Sequence, residues 1–289
     1  MKLFRLSLKA TLFLLFVFLT LSCQDDSSNS LITDNNAESP IDSAAAAKIH
    51  LTMGNPSGAV KDILFDTNYL LEKPEYVLSY NRFKGTANWV AWHLNVSWRG
   101  NAPRQNDFRN DTSLPLGWYQ VMSTSYSGSG YDRGHICPSA DRTSSIEVNS
   151  ATFFMTNMIP QAPNNNQGPW ADMENYLRSL ISIGKEMYIY AGGYGSNGTI
   201  DSGRVNIPSR TWKIVVVLDE GDNDLNRVSN ITRVIAVDMP NDNSLISLAD
   251  DWKTFRVTTD YVETKTGYDF LSNVPVSIQS AIENIIDNQ

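Results

Sequence analysis

The sequence predicts an α+β domain built mainly on antiparallel sheet, and three features carry that expectation. Six segments rich in aromatic and β-branched residues are spaced by turn formers. Two others, 170–183 and 276–286, place apolar residues at helical spacing. The composition, 42% hydrophobic and 19% charged over 289 residues, gives ample material for a core and excludes a disordered or collagen-like chain. Two cysteines exclude a disulfide scaffold and a four-cysteine zinc site. A net charge of −8 excludes a broadly basic surface, though not a local basic cleft.

The chain opens with Lys2, Arg5 and Lys9, followed by an apolar run from Ala10 to Leu21 that is short for a membrane span. Leu19-Thr20-Leu21-Ser22-Cys23 resembles a lipobox, so residues 1–22 read as a lipoprotein signal peptide with Cys23 as the lipidated residue. An ordinary secretory signal and an uncleaved anchor are the alternatives. Several acyl chains on Cys23 would anchor the protein stably in a membrane. Asp25-Asp26 resembles the surface-export signal of some lipoproteins, or else is a plain solvated tether. The expected location is therefore the cell envelope, as an outer-membrane lipoprotein with surface exposure. Residues 23–47 are Ser, Asn, Asp and Ala with little to bury, and read as a flexible linker. One domain, 48–289, follows.

Within it, 75–83 and 87–98 read as a hairpin about Lys84-Gly85-Thr86. Residues 152–159 (TFFMTNMI) read as a short buried strand. The helix at 170–183 presents Trp170, Met173, Leu177, Leu180 and Ile181 on one face, with Pro169 in its first turn and Gly184 as its stop. Strands follow at 186–191, 211–218 and 233–239, then a terminal amphipathic helix at 276–286.

Two motifs mislead. Gly193-Tyr194-Gly195-Ser196-Asn197-Gly198 fits a dinucleotide-binding glycine pattern, but no helical period follows it, so it reads as a loop. Asp219 to Asp224 is acidic but lacks the closing glutamate of a calcium loop, and reads as a solvated connection.

Three histidines make a His/Cys metal cluster implausible. His93 lies in an alternating strand and reads as structural; His50 carries no assigned role. His135 differs, because a glycine-rich turn delivers Asp132-Arg133-Gly134-His135 in succession. Glycine permits close approach, arginine offers a planar fork for phosphate, and histidine titrates near neutrality. A structured turn with an exposed salt bridge would use the same residues. Downstream, Asn164-Asn165-Asn166 precedes a helix on which Glu174 and Arg178 are four apart and share a face. Amide and carboxylate oxygens suit magnesium, which keeps most of its waters. A plain turn and a solvated ion pair are the alternative.

Taken together, DRGHICPSADR, TNMIPQ, NNNQGPW and the E-x-x-x-R helix resemble the DNA/RNA non-specific endonuclease family, over nearly all of 48–289. KIHLTMGNPSGA, RQNDFRND and TGYDFLSNVP add to the likeness. The resemblance implies a ββα-metal finger and a Mg2+-dependent hydrolysis of DNA and RNA to 5′-phosphate products, with Mn2+ as a substitute ion. It implies that His135 is the general base, that Asn166 is the one direct protein ligand of the metal, and that Glu174 holds metal-bound water. Arg133 and Arg178 would contact the phosphate region. Arg104 matches an upstream arginine of the family, with Arg99 and Arg109 as competing neighbours. Cys137 departs from the pattern, where a small residue such as alanine is expected. If the strand ran on through Ile136, His135 and Cys137 would share a face and the thiol would gate the site. The alternatives from other classes are a catalytically inactive surface lipoprotein that binds nucleic acid or a protein partner, and a phosphodiesterase of small nucleotides.

Overall fold

Long β-branched and aromatic runs pair into a central antiparallel sheet in the computed structural model, which describes residues 42–289. The expected signal peptide, Cys23 and the expected linker up to residue 41 lie outside the described residues. In chain order the strands are β1 (Tyr69–Glu72), β2 (Val77–Asn81), β3 (Thr86–Leu94), β4 (Asp132–His135), β5 (Met158–Gln161), β6 (Lys185–Tyr194), β7 (Thr199–Ile200), β8 (Val205–Asn206), β9 (Arg210–Asp219), β10 (Arg233–Pro240) and β11 (Arg256–Val257). The helices are α1 (Ser43–His50), α2 (Ile146–Ala151), α3 (Pro163–Gln167), α4 (Pro169–Ile181), α5 (Asp224–Arg227), α6 (Thr259–Thr266) and α7 (Val276–Ile282).

Seven strands form one sheet in the order β1-β2-β3-β6-β9-β10-β11, and every pairing in it is antiparallel. Both faces are covered. Val90, Trp92 and Leu94 of β3 join Ile189, Val215 and Ile235 on one face, under Trp170, Met173 and Leu177 of α4. Trp89 and Ala91 alternate to the other face, under Ala47, Val262, Phe270 and Ile282. Burial on both sides explains why the strands read as continuous apolar runs. Each buried Met173 or Leu177 side chain contributes about 1.5–3 kcal/mol. The β4–β5 ribbon stands apart from this sheet and leads through α3 into α4, which is the ββα unit the sequence predicts.

Several expectations are corrected. α1 begins at Ser43, with Asp42 capping it and Ala46 and Ala47 buried, so 43–47 belong to the folded body rather than to a linker. Alanine is the strongest helix former, which outweighs the segment's weak amphipathicity. Residues 152–159 are not one strand. Met155–Asn157 is a 3-10 turn, and pairing starts only at Met158. The run is apolar because Phe153, Met155 and Met158 are all buried, not because it alternates. The 87–98 strand stops at Leu94 and Val96–Trp98 is a 3-10 turn; the last helix stops at Ile282 rather than 286.

Candidate active site

β4 presents His135 because its partner strand and a buried asparagine leave the backbone no alternative. Asp132, Arg133, Gly134 and His135 pair with Gln161, Pro160, Ile159 and Met158. Past His135 the ladder ends. The Asn157 side chain takes over, accepting from the Cys137 N–H and donating to the Cys137 carbonyl, both at 2.9 Å. Gly134 is required by packing: a Cβ there would meet Oε1 and Cβ of Gln161 at 2.2 and 2.6 Å. The close approach expected at this glycine is therefore made by a side chain across the ribbon.

His135 stands edge-on to Phe153 and Phe108, with ring centroids 4.8 and 5.5 Å away. Its Nε2 is buried and has no hydrogen-bond partner among the described residues. Burial, then the charges of Arg104 and Arg133, push its pKa from 6.5 down to about 3. The imidazole is thus neutral at pH 7, the form that accepts a proton. Arg104 lies over the Phe153 ring at 4.9 Å, and donates to the Ser139 hydroxyl at 2.6 Å and to Asn106 at 2.7 Å. Arg133 lies over the Phe108 ring at 4.1 Å. The two aromatic rings that confine the histidine also carry the two guanidinium groups.

Asn166 comes from α3. Its Nδ2 donates to Asp132 at 2.8 Å, and the same carboxylate oxygen accepts from Gln167. That bond fixes which end of the amide is the donor and leaves Oδ1 as the end able to serve a ligand. Glu174, one turn into α4, stands 3.5 Å from Lys213 Nζ and 3.8 Å from Arg178. Lys213 is a charged residue in the apolar strand β9, completely buried, placed by alternation on the α4 side of the sheet with Val215 and Val217. Desolvation raises the Glu174 pKa, and Lys213 and Arg178 oppose that rise. The carboxylate makes an ion pair at these distances rather than a short hydrogen bond, so its oxygens are available to a hydrated cation.

Arg104, Arg133, His135, Ser139, Asn166 and Glu174 all line one cleft of about 170 Å³. An amide oxygen and a carboxylate in a cleft with room for water form a hard-oxygen donor set, which fits a hydrated Mg2+-type ion. Of the six residues to which the sequence assigns a catalytic or metal role, Arg178 alone does not line this cleft. Its guanidinium donates to Asp141 at 2.9 Å and to Asn175 at 2.7 Å. It also stands 3.8 Å from Glu174. Arg99 donates to the Ala140 carbonyl, and Arg109 to Asp107 and Ser150, so of the three candidates only Arg104 faces the cleft.

Cys137 is also corrected. Strand β4 ends at His135, and Cys137 is completely buried in the main core, its thiol pKa pushed up by desolvation. It does not line the cleft. His93 is structural as expected, bonded to Glu186 at 3.1 Å. The glycine pattern runs from the end of β6 to β7 without a helix. Sequence reasoning named Asp132 within the DRGH turn but gave it no role, and it missed Ser139, Lys213 and the rings of Phe108 and Phe153. Of those missed, Lys213 carried a local signal, as a lone charge within TWKIVVVL.

A family model for DNA/RNA non-specific endonucleases matches residues 54–277. A nuclease of Nostoc sp. is 56% identical over 83% of this chain and 86% of its own length. Nuclease C1 of Cunninghamella echinulata is 29% identical over 78% of this chain and 89% of its own. Mitochondrial endonuclease G of Homo sapiens is 28% identical over 71% and 70%. A solved EndoG/EndoGI complex superposes with a TM-score of 0.66 at 24% identity, over 79% of this chain and 92% of that one, a likeness of fold.

Proposed function

The chain belongs to the DNA/RNA non-specific endonuclease family, and on that premise we propose that it is a Mg2+-dependent nuclease cutting DNA and RNA with His135 as general base. One observation carries the residue assignment: His135, whose Nε2 is buried with no partner among the described residues, lines the cleft that Arg104, Arg133, Asn166 and Glu174 share. His135 takes a proton from water as the oxygen attacks phosphorus in line. Arg104 and Arg133 hold the scissile phosphate, their planes fixed by the rings beneath them. Asn166 would offer Oδ1 to the metal, Asp132 holds that amide in place, and Glu174 would hold a hydrated ion by its waters. When bound, Mg2+ neutralises charge that grows on the phosphate and the leaving 3′ oxygen; Mn2+ suits the same donors. The products are 5′-phosphates and 3′-hydroxyls. No group here needs a sugar 2′-hydroxyl, and contact runs through the backbone, so both polymers serve with little sequence preference. A catalytically inactive binder would have no chemical need for His135, Asn166 and Glu174 together.

The test is cleavage of plasmid DNA and of RNA by the purified chain, with Mg2+ and with chelator. His135→Ala should lose about 10²–10⁴-fold in rate while still binding Mg2+. Asn166→Ala should lose rate and Mg2+ affinity together. Near-wild-type cleavage by folded His135→Ala would overturn the mechanism.

We also propose that Cys23 carries a lipid anchor holding the enzyme in the cell envelope, a reading that rests on the short apolar run ending at Ser22-Cys23. Cys23→Ala should move the protein to a soluble fraction or block its maturation. Equal partitioning of both forms would rule the anchor out.

A further inference from the structure

We propose a second cation site, for Ca2+, between α6 and the end of α7, formed by Asp260, Glu263 and Glu283 with Asp269 beside them. The chain brings these acids together by a backbone tie: the Asp260 N–H donates to the Glu283 carbonyl at 3.1 Å. Asp260 and Glu263 are three apart and share a face of α6. One carboxylate oxygen from each of Asp260, Glu263 and Glu283 lies within 4.8 Å of the others.

A second observation distinguishes this cluster from an ordinary acidic surface. Glu283 is only 4% exposed, and its Oε1 is buried with no hydrogen-bond partner among the described residues. An unpaired carboxylate oxygen in such a place is costly unless it meets a proton or a cation. The neighbouring charges that act on Glu283 are all repulsive: Glu263, Asp260 and Asp269. The contrast is the cluster of His93, Glu186 and Asp224. There Arg227 already pairs with both carboxylates, so no cation is called for.

The donors select the ion. All are hard oxygens, with no His or Cys, which disfavours zinc and copper. Ca2+ accepts several carboxylates in irregular geometry at six to eight oxygens, whereas Mg2+ is usually held by one or two. Bound there, the ion would clip the start of α6 to the C-terminal segment, far along the chain from His135 and Asn166.

Thermal unfolding of the full chain, after chelation and with added Ca2+, tests this. At Ca2+ about 100 times Kd the melting temperature should rise by about 5 °C. Glu283→Gln keeps the shape and removes the charge, so it should lose the rise; Asp260→Asn, an exposed change, should shrink it and covers the case where the first variant fails to fold. Asn166→Ala should keep the full rise. No rise in the wild type overturns the proposal. So does a rise that Asn166→Ala abolishes, which places the ion in the catalytic cleft, or one that survives both acidic substitutions.

Discussion

His135 is confined by two aromatic rings and faced by two guanidinium groups, and that setting decides its charge and its strength as a base. Held at about 3, its pKa keeps it neutral at pH 7 but also weakens its hold on a proton. On the proposed reading, a phosphate lying between Arg104 and Arg133 would offset the charges that depress it. The pKa in the substrate complex should therefore exceed that of the free enzyme. At fixed Mg2+, the acid limb of kcat should lie at higher pH than the acid limb of kcat/KM; coincident limbs would contradict this electrostatic account. His50 shows the same depression used for structure alone. Its Nε2 faces the Pro74 carbonyl at 2.9 Å and its Nδ1 accepts from the His93 N–H at 3.1 Å, so one neutral tautomer is fully satisfied. Burial, with Arg142 nearby, lowers its pKa to about 3. Between pH 6.5 and 3 the unfolded chain binds a proton there that the folded chain excludes. This residue therefore loses stability as pH falls through that window, by about 1.4 kcal/mol per pH unit. Urea unfolding at pH 6.5, 5.5 and 4.5 should show His50→Gln weaker at pH 6.5 but with a pH slope smaller by about one proton. Identical slopes would show that His50 titrates equally in both states. Cys137 completes this scale. A bulky thiol reagent should leave the folded enzyme active, and Cys137→Ala should cost about 1 kcal/mol in stability with cleavage intact.

At the scale of elements, what was legible is what repeats. β3, β6, β9, β10 and α4 carry their patterns over 8 to 13 residues, and the sequence locates all five. β4 is four residues of Asp, Arg, Gly and His with no strand pattern, and is extended only because β5 pairs with it. α3 begins at a proline and continues through three asparagines, poor helix formers. Asn164 and Asn165 hold it by bonds to residues 240 to 246, contacts that no local window contains. The site follows the same division. His135, Asn166 and Glu174 are named through motif order, whereas the pairing of Glu174 with Lys213 and the aromatic beds of the arginines exist only in the fold. Gly134 links the two levels. A Cβ at that position meets the Cβ of Gln161 at 2.6 Å, an atom that cannot swing aside, so the ribbon must open and carry His135 with it. Gly134→Ala should cost about 1–3 kcal/mol in stability. It should also lower kcat/KM by about 10²-fold at temperatures where the protein stays folded, since a displacement near 1 Å has that effect. Melting curves paired with rates on the folded variant check this. Full activity at unchanged melting temperature would show that the ribbon absorbs the methyl group.

On the scale of the whole molecule, an acidic protein with pI about 4.9 has to hold a polyanion, and the distribution of its arginines shows how. Among the described residues, Arg82, Arg109, Arg178, Arg204, Arg210, Arg227, Arg233 and Arg256 are paired with carboxylates. Arg99 and Arg142 are spent on backbone carbonyls. Arg104 and Arg133 form no ion pair; they rest on aromatic rings and face the cleft. Among the described arginines, the two that pair with neither a carboxylate nor a backbone carbonyl are thus the two that line the cleft. Two phosphate contacts release few counterions, at a slope of about −0.9 per contact on duplex DNA. A plot of log kcat/KM against log monovalent salt, at fixed Mg2+, should therefore fall with a slope of about −2. Arg104→Gln and Arg133→Gln should each make that slope shallower by about one, while Arg210→Gln, already neutralised by Asp238 at 2.9 Å, should leave it unchanged. A slope much steeper than −2 would mean that the acidic surface carries a further phosphate path outside this cleft, and a flat one would mean that neither arginine touches the backbone.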